Sequence, residues 1–141
     1  MSPIVRARFP ATMEKLPEIL LWVRNQLIQT EIDSRSSHKI ELAAEEAIVN
    51  AIHHAYSGKQ GEIELIFKVL SESVELTILD HGPPFNPLLD ALAPDISSSV
   101  ESRKEGGLGI FLLRKCVDHL HYQREKETNA LTLIKHFSRK K

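Results

Sequence analysis

Near Gly61 the hydrophobic period of this chain changes from helical to alternating, and that change limits the fold more than any single motif. Upstream, Leu16, Ile19, Leu20, Val23 and Leu27 recur at spacings of three and four. The spacing predicts an amphipathic helix over 16–28, with Pro17 tolerated in its first turn. Polar residues from Thr30 to Ser37 interrupt it, and Ser36 or Ser37 offers a cap for a second helix from about His38 to Tyr56, ended by Gly58. Downstream, Ile63, Leu65 and Phe67 alternate with Glu62, Glu64, Ile66 and Lys68, and Val74, Leu76 and Ile78 alternate with Glu75, Thr77 and Leu79. These runs predict two antiparallel strands joined through Ser71, Glu72 and Ser73.

A short strand over Ile4 to Phe9 precedes the helices. A third helix is expected from about Gly109 to His119, followed by strands at Tyr122 to Glu125 and Leu131 to Phe137 with a turn at Glu127 to Asn129. Between them, the Gly- and Pro-rich stretch from His81 to Gly109 predicts one long loop of the kind that covers a ligand. The order α, α, β, β, loop, α, β, β reads as an α+β, two-layer α/β sandwich.

At 141 residues the chain has the length of one ordinary domain, and 42% hydrophobic with 26% charged residues are globular proportions. A formal charge of −1 sets up no general positive field toward nucleic acid or an anionic membrane. The basic end Ser138 to Lys141 is a local, solubilising exception. Cys116 is the only cysteine, so neither an intramolecular disulfide nor a cysteine metal cluster is possible, and a buried, inert thiol is expected. No stretch has the make-up of a signal peptide or a membrane span, which places the protein in the cytoplasm.

Three elements carry chemistry. On the second helix, Ala44, Ala47, Ile48, Ala51, Ile52 and Ala55 share one broad face, while Glu46, Asn50 and His53 fall together on another. A carboxylate four residues from a carboxamide places a proton acceptor beside an oxygen suited to a hard cation, although such pairs are usually plain helix surface. Next, Asp80-His81-Gly82-Pro83-Pro84-Phe85 follows an apolar strand. An acid at a strand end can accept from an amino group, and a glycine two residues on lets a flat ligand approach the backbone. Asp, Gly and Pro after a strand are equally the residues of an ordinary turn. Last, Glu105-Gly106-Gly107-Leu108-Gly109-Ile110 precedes a predicted helix, where glycine amides and a helix N-terminus attract anions. The spacing matches neither a P-loop nor a dinucleotide fingerprint.

The three together, in this order, resemble the N, G1 and G2 boxes of the GHKL ATPase and kinase superfamily, and within it the anti-sigma factor serine/threonine kinases. The resemblance extends over nearly the whole chain, from the helix that opens at Leu16 to the closing run Leu131-Thr132-Leu133-Ile134-Lys135. It implies a Bergerat-type ATP-binding fold filling residues 1–141, with a mixed, mostly antiparallel sheet, helices on one face and a long ATP lid. It further implies that Glu46 is the general base, Asn50 holds Mg²⁺, Asp80 bonds the adenine amino group and Gly82 lies beneath the base. His53, His54, Pro84 and Phe85 are expected around the nucleotide, and Gly106, Gly107, Leu108, Gly109 and Ile110 along its phosphates.

The chain departs from that family's pattern at two places. Asn129-Ala130 stand where the family often has Gly-Thr, whose hydroxyl helps the adenine-binding Asp, so Thr132 or Thr128 is expected to substitute. Glu105 stands where some relatives have a basic residue, which passes phosphate neutralisation to Arg103 or Lys104. The implied partners are an anti-sigma factor antagonist of the STAS type as substrate, a sigma factor or other regulator, and a second copy of the chain. Two other readings share these boxes: an ATP-binding partner switch without turnover, and a stand-alone histidine-kinase-like ATPase domain. A histidine kinase normally carries its phosphoacceptor on a separate helical hairpin, for which 141 residues leave no room.

Overall fold

The computed structural model describes residues 4–55, 61–86, 88 and 107–137. Strand β1 (Ile4–Pro10) leads through a short 3-10 turn at Met13–Lys15 into α1 (Leu16–Ile28) and α2 (Ser34–Ala55). Strands β2 (Glu62–Val69) and β3 (Ser73–Asp80) follow, then α3 (Gly107–Cys116), β4 (His119–Glu125) and β5 (Thr128–His136). The strands form a five-stranded sheet in the order β1-β2-β3-β5-β4. Among the described residues all four pairings are antiparallel, where a mixed, mostly antiparallel sheet is expected from sequence.

The two periods of the sequence explain the two layers. In α1, Ile19, Val23 and Leu27 are spaced by one turn and are wholly removed from solvent, and Pro17 sits in the first turn, where its missing N–H costs nothing. In α2, Ile40, Ala43, Ala44, Ala47, Ile48 and Ile52 form the buried stripe that lies across β3 and β5, the middle of the sheet. The small alanines let helix and sheet approach closely, and α1 and α3 pack against α2 on either side. From below, Ile63, Leu65, Phe67, Val74, Leu76, Ile78, Leu131 and Leu133 complete the core at every second strand position.

The second helix begins earlier than its serines suggested. Asp33, not Ser36 or Ser37, caps it: the Ser36 N–H donates to Asp33 Oδ2 at 3.0 Å, and the Ser37 N–H donates to the Asp33 carbonyl at 3.0 Å. An aspartate oxygen at this position meets an amide that has no partner inside the helix, so it outcompetes serines one turn further in. The third helix starts two residues before its expected position and stops at Cys116, because the chain needs His119 and Leu120 to pair with β5. Cys116 is half-buried against the core rather than sealed in it.

The closing hairpin is also tighter than expected. Lys126 takes the left-handed conformation, φ 57°, and β5 begins at Thr128. Asn129 is therefore a strand residue. Alternation with Leu131 and Leu133 puts its side chain on the core face, directly across from Asp80 in the β3–β5 register.

Candidate functional site

The floor of the site is the last position of β3. Asp80 is 8% exposed and Asn129 4%, the most enclosed polar pair opposite α2. Such groups are costly to bury unless bonded. Asp80 Oδ1 accepts the Gly82 N–H at 2.9 Å, which closes a tight turn, and accepts the Asn129 amino group at 2.9 Å. The same amino group donates to the Pro83 carbonyl at 2.9 Å. On its other side, the Asn129 carbonyl oxygen receives the Tyr122 hydroxyl and Arg124 Nη1, the latter at 3.2 Å. Arg124 Nη1 also reaches the Gly82 carbonyl at 2.7 Å. The β3 end, the 81–83 turn and the β4–β5 hairpin, the last distant in sequence, are thus locked around one carboxyl group.

Above this floor, Ala47 and Ala51 of α2, with Ile78, Phe85, Tyr122 and Leu131, enclose a cavity of about 30 Å³ against Asp80 and Asn129. That volume accepts a water or two and no purine ring. Phe85 forms part of its wall and stacks on His54, ring centroids 4.3 Å apart at 15°, which ties the segment after β3 to the last turn of α2.

Glu46 and Asn50 occupy the neighbouring side of α2, one helical turn apart and half-buried rather than on the solvated surface that an isolated pair would suggest. Burial, and secondarily the like charge of Glu45, raise the Glu46 pKa above the ordinary glutamate value. The Asn50 amide nitrogen is buried without a hydrogen-bond partner. A buried amide left unpaired costs free energy.

The structure brings Asp80, Gly82, Phe85 and His54 together and sets Glu46 and Asn50 beside them. His53 and Pro84 are exposed. Gly107, Leu108, Gly109 and Ile110 form the first turn of α3, whereas Arg103, Lys104 and Gly106 lie outside the described residues.

The threonine substitutes do not reach Asp80. Thr132 is on the opposite face of the sheet, where its hydroxyl pairs with Thr77 at 3.0 Å, because Thr77 is an odd number of residues from Asp80 and strand side chains alternate. Thr128 bonds the His81 ring at 3.2 Å. Asn129 does what neither threonine does. Sequence reading missed it, with Tyr122 and Arg124, by assigning Asn129 to the turn; a polar residue in phase with Leu131 and Leu133 is the signal that finds it.

The sequence profile of the histidine kinase-like ATPase domain matches residues 9–135. Among curated proteins the chain is similar to the serine/threonine-protein kinase BtrW of Bordetella bronchiseptica, 31% identical over 120 residues, which span 84% of each chain. It is 28% identical over 130 residues to the serine-protein kinase RsbW of Bacillus cereus, covering 90% of this chain and 81% of that one. Among solved structures, the crystal structure of the RsbU and RsbW domains of Rv1364c from Mycobacterium tuberculosis superposes with a TM-score of 0.66 at 16% identity, over 98% of this chain and 33% of the longer one. The catalytic domain of the histidine kinase ThkA superposes with a TM-score of 0.56 at 15% identity, over 96% of this chain and 99% of that domain. These two likenesses concern the fold, whereas the profile match spans nearly the whole sequence. The chain belongs to the histidine kinase-like ATPase domain family.

Proposed function

We propose that this protein is an ATP-dependent serine/threonine protein kinase of a bacterial partner-switching module. Its substrate is an anti-sigma factor antagonist of the STAS type, and its second partner is a sigma factor or another regulator that it sequesters. The observation that carries the reading is the locked Asp80 carboxyl beneath α2, with Glu46 and Asn50 on the same helix, in a chain whose curated relatives are serine/threonine-protein kinases.

In this reading Asp80 accepts a hydrogen bond from the amino group of adenine and Gly82 lies beneath the base. The first turn of α3, opened by Gly107 and Gly109, offers backbone N–H groups and the positive end of a helix dipole to the phosphates. The Asn50 carboxamide fits a hard cation such as Mg²⁺: its nitrogen is buried and unpaired, and an amide presents its oxygen by a simple flip. When bound, the ion neutralises charge on the phosphates.

Glu46 accepts the proton of the substrate Ser or Thr hydroxyl as that oxygen bonds to the γ-phosphorus and ADP leaves. Burial disfavours its charged form, which makes Glu46 a better proton acceptor than a solvated glutamate. Catalysis on this plan is mostly positioning and electrostatics.

Among the described residues no helix is long and apolar enough to cross a membrane. The partner-switching reading places the protein in the cytoplasm as a homodimer built through β1 and α1, acting as one catalytic domain over residues 1–141.

The test is incubation with Mg²⁺-ATP and candidate antagonist proteins, read by mass spectrometry for a phosphorylated Ser or Thr. Stoichiometric transfer to one antagonist is the expected result. ATP binding with no transfer to any antagonist identifies a switch without turnover, and absence of nucleotide binding overturns the site itself.

A further inference from the structure

The Asp80 cluster carries more information than the identity of its acid. Arg124 Nη1 and the Tyr122 hydroxyl both face Asn129 Oδ1. A guanidinium has donors only, so the atom it meets has to be the amide oxygen, and the Asn129 amino group is turned toward Asp80 and Pro83. The amide orientation is therefore set by chemistry rather than by choice of flip. Its consequence is asymmetric. Both bonds to the Asp80 carboxyl fall on Oδ1, from Gly82 and Asn129, and among the described residues nothing donates to Oδ2.

Resting on the nucleotide-site reading above, we infer that Asn129, oriented by Tyr122 and Arg124, is a positioning residue that sets base specificity by saturating Asp80 Oδ1 and reserving Oδ2 as a lone acceptor. A carboxyl held in that way suits a purine whose 6-position carries an amino donor. A 6-oxo purine would set its carbonyl oxygen against Oδ2, acceptor against acceptor, and the locked carboxyl has no freedom to turn away. Were Asn129 absent, the carboxyl could rotate or rearrange, and the two bases would be distinguished less. The Arg124 bond to the Gly82 carbonyl extends the same lock to the turn on which the base is to rest.

Calorimetric titration of the full chain with ADP and with its 6-oxo analogue IDP, each with magnesium chloride, tests this. The wild type is expected to prefer ADP by at least about tenfold. Asn129→Ala should weaken ADP by roughly ten- to a hundredfold while leaving IDP nearly unchanged, so that the preference falls toward unity. Asn129→Thr, which restores a hydroxyl donor, should recover most of the preference. Tyr122→Phe keeps the ring in the core and removes only the hydroxyl that orients the amide, so it serves where Asn129→Ala does not fold, and it should erode the preference in the same direction.

Equal weakening of ADP and IDP in these variants, with the ratio intact, would assign Asn129 a merely structural role and overturn the inference while the nucleotide site stands. A wild type that binds both equally overturns it as well. A wild type that binds neither removes the nucleotide reading and the inference together.

Discussion

Two concavities of the molecule make opposite arguments. Between α1 and α2 lies a groove of about 330 Å³ lined by Pro17, Leu20, Leu21 and Leu42, with Arg24 and Glu41 paired at 2.7 Å on its exposed rim. Between α2 and the β3–β5 pair lies the cavity of about 30 Å³ over Asp80. By volume alone the groove has the size of a ligand site. Yet its Arg24 and Glu41 pair with each other at the surface, whereas the small cavity gathers a buried carboxyl, a buried amide and the helix that carries an unpaired Asn50. Converging, desolvated polar groups mark a site better than empty space does, because they are the groups whose burial is costly without a partner.

The sharpest way to break this contrast is at Glu46. Glu46→Gln should lower phosphotransfer by about 10²- to 10⁴-fold with little change in nucleotide affinity, measured by label transfer beside calorimetry. Because burial and Glu45 raise its pKa, the acid limb of the wild-type rate should lie above the ordinary glutamate range, activity rising as pH passes upward through the raised value. An acid limb at the ordinary value, or full activity in the glutamine variant, would remove Glu46 from the base role.

Next in size is Asp80→Ala, expected to raise the ATP Kd by roughly ten- to a hundredfold. Leu21→Ser and Leu42→Ser in the larger groove should leave that Kd unchanged. A nucleotide that responds to the groove variants and not to Asp80 would reverse the assignment of the two concavities.

The smallest effect concerns an edge away from both. Asp118 accepts the His136 N–H at 2.6 Å and lies 3.7 Å from Lys135 Nζ. Its burial pushes the pKa up, but the His136 amide, Lys135, His136 and His119 outweigh that and hold it below the ordinary aspartate value. A lowered carboxyl pKa contributes stability that is present above the ordinary value and is lost as pH falls through the depressed one. Asp118→Asn should therefore cost at most about 1 kcal/mol at neutral pH and flatten the acid side of the stability curve, followed by urea unfolding at several pH values. The same variant should not change nucleotide affinity.

Much of the fold was legible because burial repeats with the geometry of each element. Leu16–Ile28 was bounded correctly from the spacing of Ile19, Val23 and Leu27, and β2 and β3 from strict alternation. Differences fall at ends, where capping and pairing decide: Asp33 displaces the serines as the cap of α2, and pairing with β5 takes His119 out of the expected helix and starts β4 there rather than at Tyr122. At the site, Asp80 and Gly82 were legible as an acid and a glycine after an apolar run. Asn129 was not, since a single position of register separates a turn residue from a core-facing one.

What the sequence determined alone was periodicity and order: which stretches bury one face, and in what succession helix, strand and glycine-rich loop occur. Those properties are local, set by 3.6- and 2-residue repeats that any reader of the chain can follow. Only the tertiary structure decided which polar groups meet. Asp80, Tyr122, Arg124 and Asn129 come together because β3 pairs with β5 and β5 with β4, and antiparallel register brings positions distant in sequence within one hydrogen bond of each other.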